Sequence, residues 1–226
     1  NFDMAEDWAE HRCINWPQAE VQVDRALDFI SSNPNRDAFV LLHFMDMHLP
    51  YTEPMEYEGL YAGERPESIG RNDYHRRDVV EEPLNEDGRQ YVRDRYDQNL
   101  RYIDDQLDRF LSTLPDDAIV LILSDHGEEF WDHDEFEHGH SLYDELIRIP
   151  MVMRGPGITP GRFSEPVSMI DVAPSLAVAA NINTEGMLGW PLQSLVDGTR
   201  TEDFIARPQA FGRPLYNLRR WGSLLG

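Results

Sequence analysis

Residues 118–123, Ala-Ile-Val-Leu-Ile-Leu, form a continuous apolar run that stops abruptly on Ser124-Asp125-His126-Gly127. A run this short, rich in β-branched residues and bounded by polar groups, predicts a strand covered on both faces of a parallel sheet. In open α/β sheets ligands gather beyond the carboxyl ends of the strands, so Asp125 and His126 emerge where a site belongs. A carboxylate oxygen beside an imidazole nitrogen suits a divalent cation, and Gly127 lets the backbone turn without a Cβ clash. The plainer reading of the same residues is an ordinary strand-to-loop turn stabilised by local hydrogen bonds.

At 226 residues the chain is long enough for one large α/β domain. All 20 basic residues are Arg, against 42 Asp plus Glu, for a formal charge of −22. That balance argues against a nucleic-acid partner, whose phosphates need a basic face. It fits adaptation to high salt, where screening shortens the reach of carboxylate repulsion. Cys13 is the only cysteine, so no disulfide forms within the chain. No apolar run approaches the roughly 20 residues that span a bilayer. The sequence opens mid-pattern without an initiator Met, which leads us to expect a segment of a longer polypeptide.

Ala19, Val23, Ala26, Leu27 and Ile30 repeat at helical spacing and predict a helix that ends near Ser31-Ser32-Asn33-Pro34. Residues 38–44 read as a buried strand that runs into Met45-Asp46-Met47-His48-Leu49-Pro50-Tyr51. Residues 52–85 have no sustained period and read as a long surface excursion. Tyr96, Leu100, Ile103, Leu107, Phe110 and Leu114 then place one apolar stripe along a second helix, which Pro115 stops. A loop over 128–139, a helical patch near 142–146, a strand at 149–153 and a short strand at 167–170 follow, with Asp171 placed to cap a further helix. The alternation predicts an α/β fold, a mostly parallel sheet with helices on both faces.

Four of the eight histidines, His126, His133, His138 and His140, fall within residues 126–140, and His43 and His48 flank the earlier strand end. A parallel sheet would bring both clusters to one edge, where imidazoles and a metal could bind an oxyanion or protonate a leaving group. Ser124-Asp125-His126-Gly127-Glu128, then His138-Gly139-His140-Ser141-Leu142-Tyr143-Asp144-Glu145-Leu146-Ile147-Arg148-Ile149-Pro150, then Arg154-Gly155-Pro156-Gly157 resemble, in order, the sulfatase family of the alkaline-phosphatase-like superfamily. Leu42-His43-Phe44-Met45-Asp46-Met47-His48-Leu49-Pro50-Tyr51, the helix with Tyr102-Ile103-Asp104, and Val167-Ser168-Met169-Ile170-Asp171-Val172-Ala173-Pro174-Ser175-Leu176 agree as well.

The resemblance implies one partial alkaline-phosphatase/sulfatase-like α/β domain over residues 1–226, with 201–226 beginning the family's smaller C-terminal sheet. It implies a metal-dependent hydrolase of small-molecule or glycan sulfate esters. Asp125 and His126 correspond to ligands of one divalent cation, calcium in most of the family, with manganese or zinc as alternatives. His48 corresponds to the histidine against the sulfate and leaving group, and His138 to the residue that also holds the sulfate. A two-residue shift of register would give His138's part to His140.

Asp46 and His43 are expected to make supporting hydrogen bonds, and Arg148 to brace its loop. Asp132, His133 and Asp134 read as a solvated acidic loop, or as an accessory metal site. The family's nucleophile, a formylglycine matured from a C/S-x-P-S-R pattern, has no counterpart here: Cys13 is followed by Ile-Asn-Trp-Pro. The segment is therefore expected to be inactive alone, with the formylglycine supplied by a region outside it. Two alternatives stand beside the sulfatase reading. One is a phosphodiesterase, phosphonate-ester hydrolase or phosphoglycerol transferase of the same superfamily; the other is a non-catalytic sulfatase-like binding module.

Overall fold

The computed structural model describes residues 18–67, 69, 83–213 and 220–224; Cys13 and most of the second half of the 52–85 excursion lie outside them. The chain divides into two compact units, residues 1–114 and 115–226. Among the described residues no helix is long and apolar enough to cross a membrane.

In the first unit α1 spans Ala19–Ser32 and α2 spans Glu86–Leu111. Helix α1 forms where its apolar spacing predicts, with Ala19, Val23 and Ala26 buried against α2 residues Tyr102, Ile103 and Phe110 and their neighbours. Burying a side chain such as Val23 contributes on the order of 1.5–3 kcal/mol. Helix α2 starts ten residues before the predicted stripe. Its Asn85 side chain accepts from Gly88 N at 2.9 Å, and Glu86 and Asp87 face the positive end of the helix dipole. The stripe is also rotated: Leu100 is exposed, while Gln98, Asn99 and Tyr102 take the buried positions.

Residues 38–44 do not form the expected buried strand. They make no ladder; Val40, Leu42 and Phe44 pack on the α1–α2 core, while Phe39 and Leu41 on the opposite face are 75% and 79% exposed. Apolar periodicity reports a side-chain environment but not the hydrogen-bond partner that makes a strand. Past it, Asp46 Oδ1 accepts from Ala19 N at 3.1 Å, a bond to the start of α1, while His43 is exposed.

Burial pushes the Asp46 carboxyl above its ordinary value, against the lowering effect of the Ala19 amide, and its Oδ2 lacks a partner among the described residues. A carboxylate whose pKa is raised on folding contributes most below its unfolded pKa, and that contribution is lost as pH rises through the folded value. Asp46→Asn removes this dependence. Melting temperatures should therefore favour the variant over the native protein by more at pH 7 than at pH 4, by about a few degrees; an equal difference at both pH values would refute the assignment.

In the second unit β1 (Val120–Leu123) pairs with β4 (Met151–Arg154), β2 (Glu129–Phe130) with β3 (Phe136–Glu137), and β5 (Gln209–Arg213) with β6 (Arg220–Leu224). All three ladders are antiparallel, so the expected mostly parallel sheet is not present among the described residues. The connection between β1 and β4 explains its direction. Its only helix, α3 (Asp144–Ile147), is a single turn, too short for the crossover that returns a chain parallel.

Strand β4 alternates half-buried and exposed residues, whereas all four residues of β1 are half-buried. Leu121, Met151 and Met153 pack on Leu192, Leu195 and Phe204, the last three from α5 (Gln193–Val196), its approach and α6 (Thr201–Ala206). The strand expected at 167–170 is instead a 3₁₀ turn, Met169–Asp171, leading into α4 (Val172–Ala179). Asp171 does not cap α4 as expected. Fully buried, it accepts from Ser168 N (2.8 Å) and Trp190 N (2.8 Å) and takes both terminal nitrogens of Arg207 at 2.7 and 2.5 Å.

Candidate active site

The loop after β1 is held by close backbone approach. Gly127 N donates to Leu146 O at 2.9 Å, and a Cβ at this position would lie 1.9 Å from the Glu145 carbonyl oxygen. Glycine is thus required by contact with the α3 backbone, a different clash from the one expected in the turn. Gly127→Ala must displace either the loop or α3, and a loss of about 1–3 kcal/mol is expected. Calorimetry of the native protein and the variant checks it; an unchanged melting temperature would contradict this packing.

Asp125 and His126 are set side by side at the strand tip. Asp125 Oδ1 lies 3.7 Å from His126 Nε2, and both side chains reach solvent. His126 Nδ1 bonds the Gly127 carbonyl at 2.8 Å, which places the proton on Nδ1 and leaves Nε2 as the coordinating nitrogen. Such carbonyl-fixed tautomers are the usual support of a metal-ligating histidine. The donor set, one carboxylate oxygen and one oriented imidazole nitrogen, fits a divalent cation.

His138 lies on His126, with ring centroids 4.0 Å apart and planes 28° from parallel. Its Nδ1 meets Glu128 Oε1 at 2.9 Å. Burial alone would lower its pKa, but the bond to Glu128 and the charges of Glu128, Glu137 and Asp125 outweigh that and raise it, favouring the imidazolium form. His140 is turned elsewhere. It is buried, and its Nε2 meets Glu129 Oε2 at 2.6 Å.

Two consecutive glutamates thus sort two nearby histidines. Glu128 takes His138, while the fully buried Glu129 takes His140 and also accepts from His133 N (3.0 Å) and Glu135 N (3.1 Å). Sequence reasoning missed both glutamates, treating 128–139 as a plain loop. The available signal was the similar spacing, ten residues from Glu128 to His138 and eleven from Glu129 to His140, across the segment that the β2–β3 hairpin folds back.

The expected acidic loop at 132–134 is exposed. His133 pairs with Glu145 at 2.5 Å and stacks on Tyr143, with centroids 3.6 Å apart. Glu129, His133 and Glu145 bring potential ligand atoms within 4.8 Å of one another, a cluster that excludes Asp132 and Asp134. Arg148 is exposed rather than a buried brace, with no side-chain bond among the described residues. His48 belongs to the first unit, where its Nδ1 bonds Leu49 O at 2.6 Å.

The sulfatase family model matches residues 7–182. An uncharacterized sulfatase, YidJ, of Escherichia coli (strain K12) is 28% identical over 204 residues, 83% of this chain and 39% of that protein. Among solved structures, a phosphonate monoester hydrolase from Silicibacter pomeroyi superposes with a TM-score of 0.67 at 18% identity, covering 88% of this chain and 46% of that one. A 2-O GAG sulfatase superposes with a TM-score of 0.57 at 16% identity, covering 94% and 54%. The alkaline-phosphatase-like fold is therefore shared, and the chain spans less than half the length of the curated relatives it matches. Sulfatases are metal-dependent, and a carboxylate–histidine cluster able to hold an ion is present. With more than half of its residues matched by the family model, the chain belongs to the sulfatase family.

Proposed function

We propose that this chain carries part of the active site of a metal-dependent sulfuric ester hydrolase acting on a small-molecule or glycan sulfate. The observation that supports this reading most is the tip of β1, where Asp125 Oδ1 and an oriented His126 Nε2 lie 3.7 Å apart with His138 stacked alongside. Asp125 and His126 hold the cation, calcium in this reading, which when bound supplies positive charge to the ester's non-bridging oxygens. His138, held by Glu128, donates to the sulfate; His140, engaged by Glu129, braces the hairpin beneath it.

In the overall reaction the bond between sulfur and the ester oxygen breaks, water's hydroxyl ends on sulfur, and a proton goes to the departing alcohol. In this reading His48 is the proton donor to that leaving oxygen. Its Nδ1 donates to Leu49 O, so Nε2 has a proton to give only in the doubly protonated ring. The glycan reading draws on the likeness to a GAG sulfatase. The lysine-free composition with its charge of −22 supports a protein built for high salt. The hairpin of β5 and β6 is read as the start of the smaller C-terminal sheet.

A second reading, hydrolysis of a phosphonate or phosphate ester, is favoured by the likeness to the phosphonate monoester hydrolase. The test is to treat the full-length protein with a chelator, restore calcium, manganese or zinc one at a time, and assay 4-nitrophenyl sulfate against 4-nitrophenyl phenylphosphonate. Sulfate hydrolysis lost on chelation and best restored by calcium is expected. Faster turnover of the phosphonate would favour the second reading, and no metal-dependent turnover of either ester would favour a binding module.

A further inference from the structure

The segment from His48 to Ala62 forms no ladder, yet it is closely held by one buried side chain of α2. Gln98 is fully buried, and its amide is spent on this segment alone: Oε1 accepts from Tyr61 N (3.0 Å) and Ala62 N (2.9 Å), while Nε2 donates to Glu53 Oε1 (2.8 Å). One turn earlier Arg95 donates to Glu53 Oε2, at 3.3 Å from Nε and 3.2 Å from its terminal nitrogen, and to the Tyr51 carbonyl. An apolar residue at 98 could fill the same volume without the cost of desolvating an amide. What the amide adds is a fixed position for both ends of the loop.

That loop begins at His48. The imidazole is tied through Nδ1 to the carbonyl of Leu49, and its backbone N donates to Met45 O at 3.0 Å. Asp46 anchors the chain two residues before it, through Ala19 N, and Arg95 anchors it three residues after, through Tyr51 O. A shift of the 49–51 backbone therefore carries the ring with it.

We propose that Gln98, acting with Arg95 and Glu53, is a positioning residue that fixes the His48 ring for its part as proton donor. The proposal rests on the reading of His48 given above. Gln98 touches no substrate; it acts through the loop.

The test uses the full-length protein and two aryl sulfates, 4-nitrophenyl sulfate with a good leaving group and 4-methylphenyl sulfate with a poor one. A displaced proton donor costs more when the departing oxygen is more basic. Gln98→Leu is expected to lower kcat about 10-fold on the first ester and about 100-fold on the second, with KM little changed. Gln98→Glu opposes two carboxylates and should show the same selective loss. The exchange Glu53→Gln/Gln98→Glu restores a donor facing an acceptor while residue 98 still accepts from Tyr61 and Ala62, and should recover most of the rate on 4-methylphenyl sulfate.

Equal losses on both esters, with no recovery in the exchange, would overturn the proposal, and the exchange keeps it open to refutation should Gln98→Leu fail to fold. His48→Ala separates the two levels. If it shows the leaving-group signature while the Gln98 variants do not, the clamp alone is wrong. If His48→Ala shows no such signature, the reading of His48 falls and the proposal falls with it.

Discussion

Replacing Asp125 with alanine in the full-length protein is expected to lower hydrolysis of a sulfate ester by about 10²–10³-fold or more, the scale on which removal of a preorganised electrostatic partner is felt. The same change should leave stability nearly untouched. The Asp125 side chain is 64% exposed, and among the described residues it accepts a single hydrogen bond, from the neighbouring His126 amide at 3.1 Å. Exposed substitutions of this kind stay within about 0.5 kcal/mol. A steady-state assay beside a melting curve checks both halves. Undiminished hydrolysis would defeat the enzymatic reading, and a large drop in melting temperature would show that Asp125 is part of the scaffold instead.

Asp171→Ala should do the reverse, unfolding the second unit about 3–5 kcal/mol more easily because it strands a buried guanidinium. In a chain of this size that is a fall on the order of 10 °C. Arg207 has no comparable substitute. It stacks over Trp190 at 4.6 Å and Phe204 at 5.2 Å, and its Nε is buried without a partner among the described residues. Asp171 also ends two backbone N–H groups, those of Ser168 and Trp190, so its loss releases the 3₁₀ turn and the approach to α5 together. Removing both charges, as Asp171→Ala/Arg207→Met, should cost less than the sum of the single changes. Strict additivity in that cycle would contradict a coupled pair.

The position of Asp125 and His126 at a strand tip could be read directly from the chain because the pattern is local: an apolar run, then two ligand-type residues, then a glycine. His138 and His140 could not be told apart by the same means. Their difference is made by Glu128 and Glu129 across a hairpin whose turn relies on the left-handed backbone of Trp131 and Asp134 and on a buried carboxylate accepting two loop amides. Helix α1 matches its apolar spacing closely, whereas α2 starts ten residues ahead of its stripe, where Val92 is the one buried apolar side chain and the start is marked by a cap. The segments 38–44 and 167–170 share strand-like composition, yet neither is a strand. In the first no ladder partner is present among the described residues, and in the second the Ser168–Asp171 capping box wins locally. Sheet direction was out of reach for a related reason: it depends on how the chain returns from β1 to β4, and α3 turned out to be a single turn.

The side chains of α2 that meet the excursion after His48 recur at Arg95, Gln98, Tyr102 and Asp105, with Tyr57 donating to Asp105 at 3.0 Å and its ring set edgewise on Tyr102. Their 3-4-3 spacing makes them one row. A single inserted residue within that row would swing everything beyond it through about 100° and detach those contacts in one event. Genetic change in this region is thereby channelled: the helix that anchors the excursion admits exchanges of residue but no change of length.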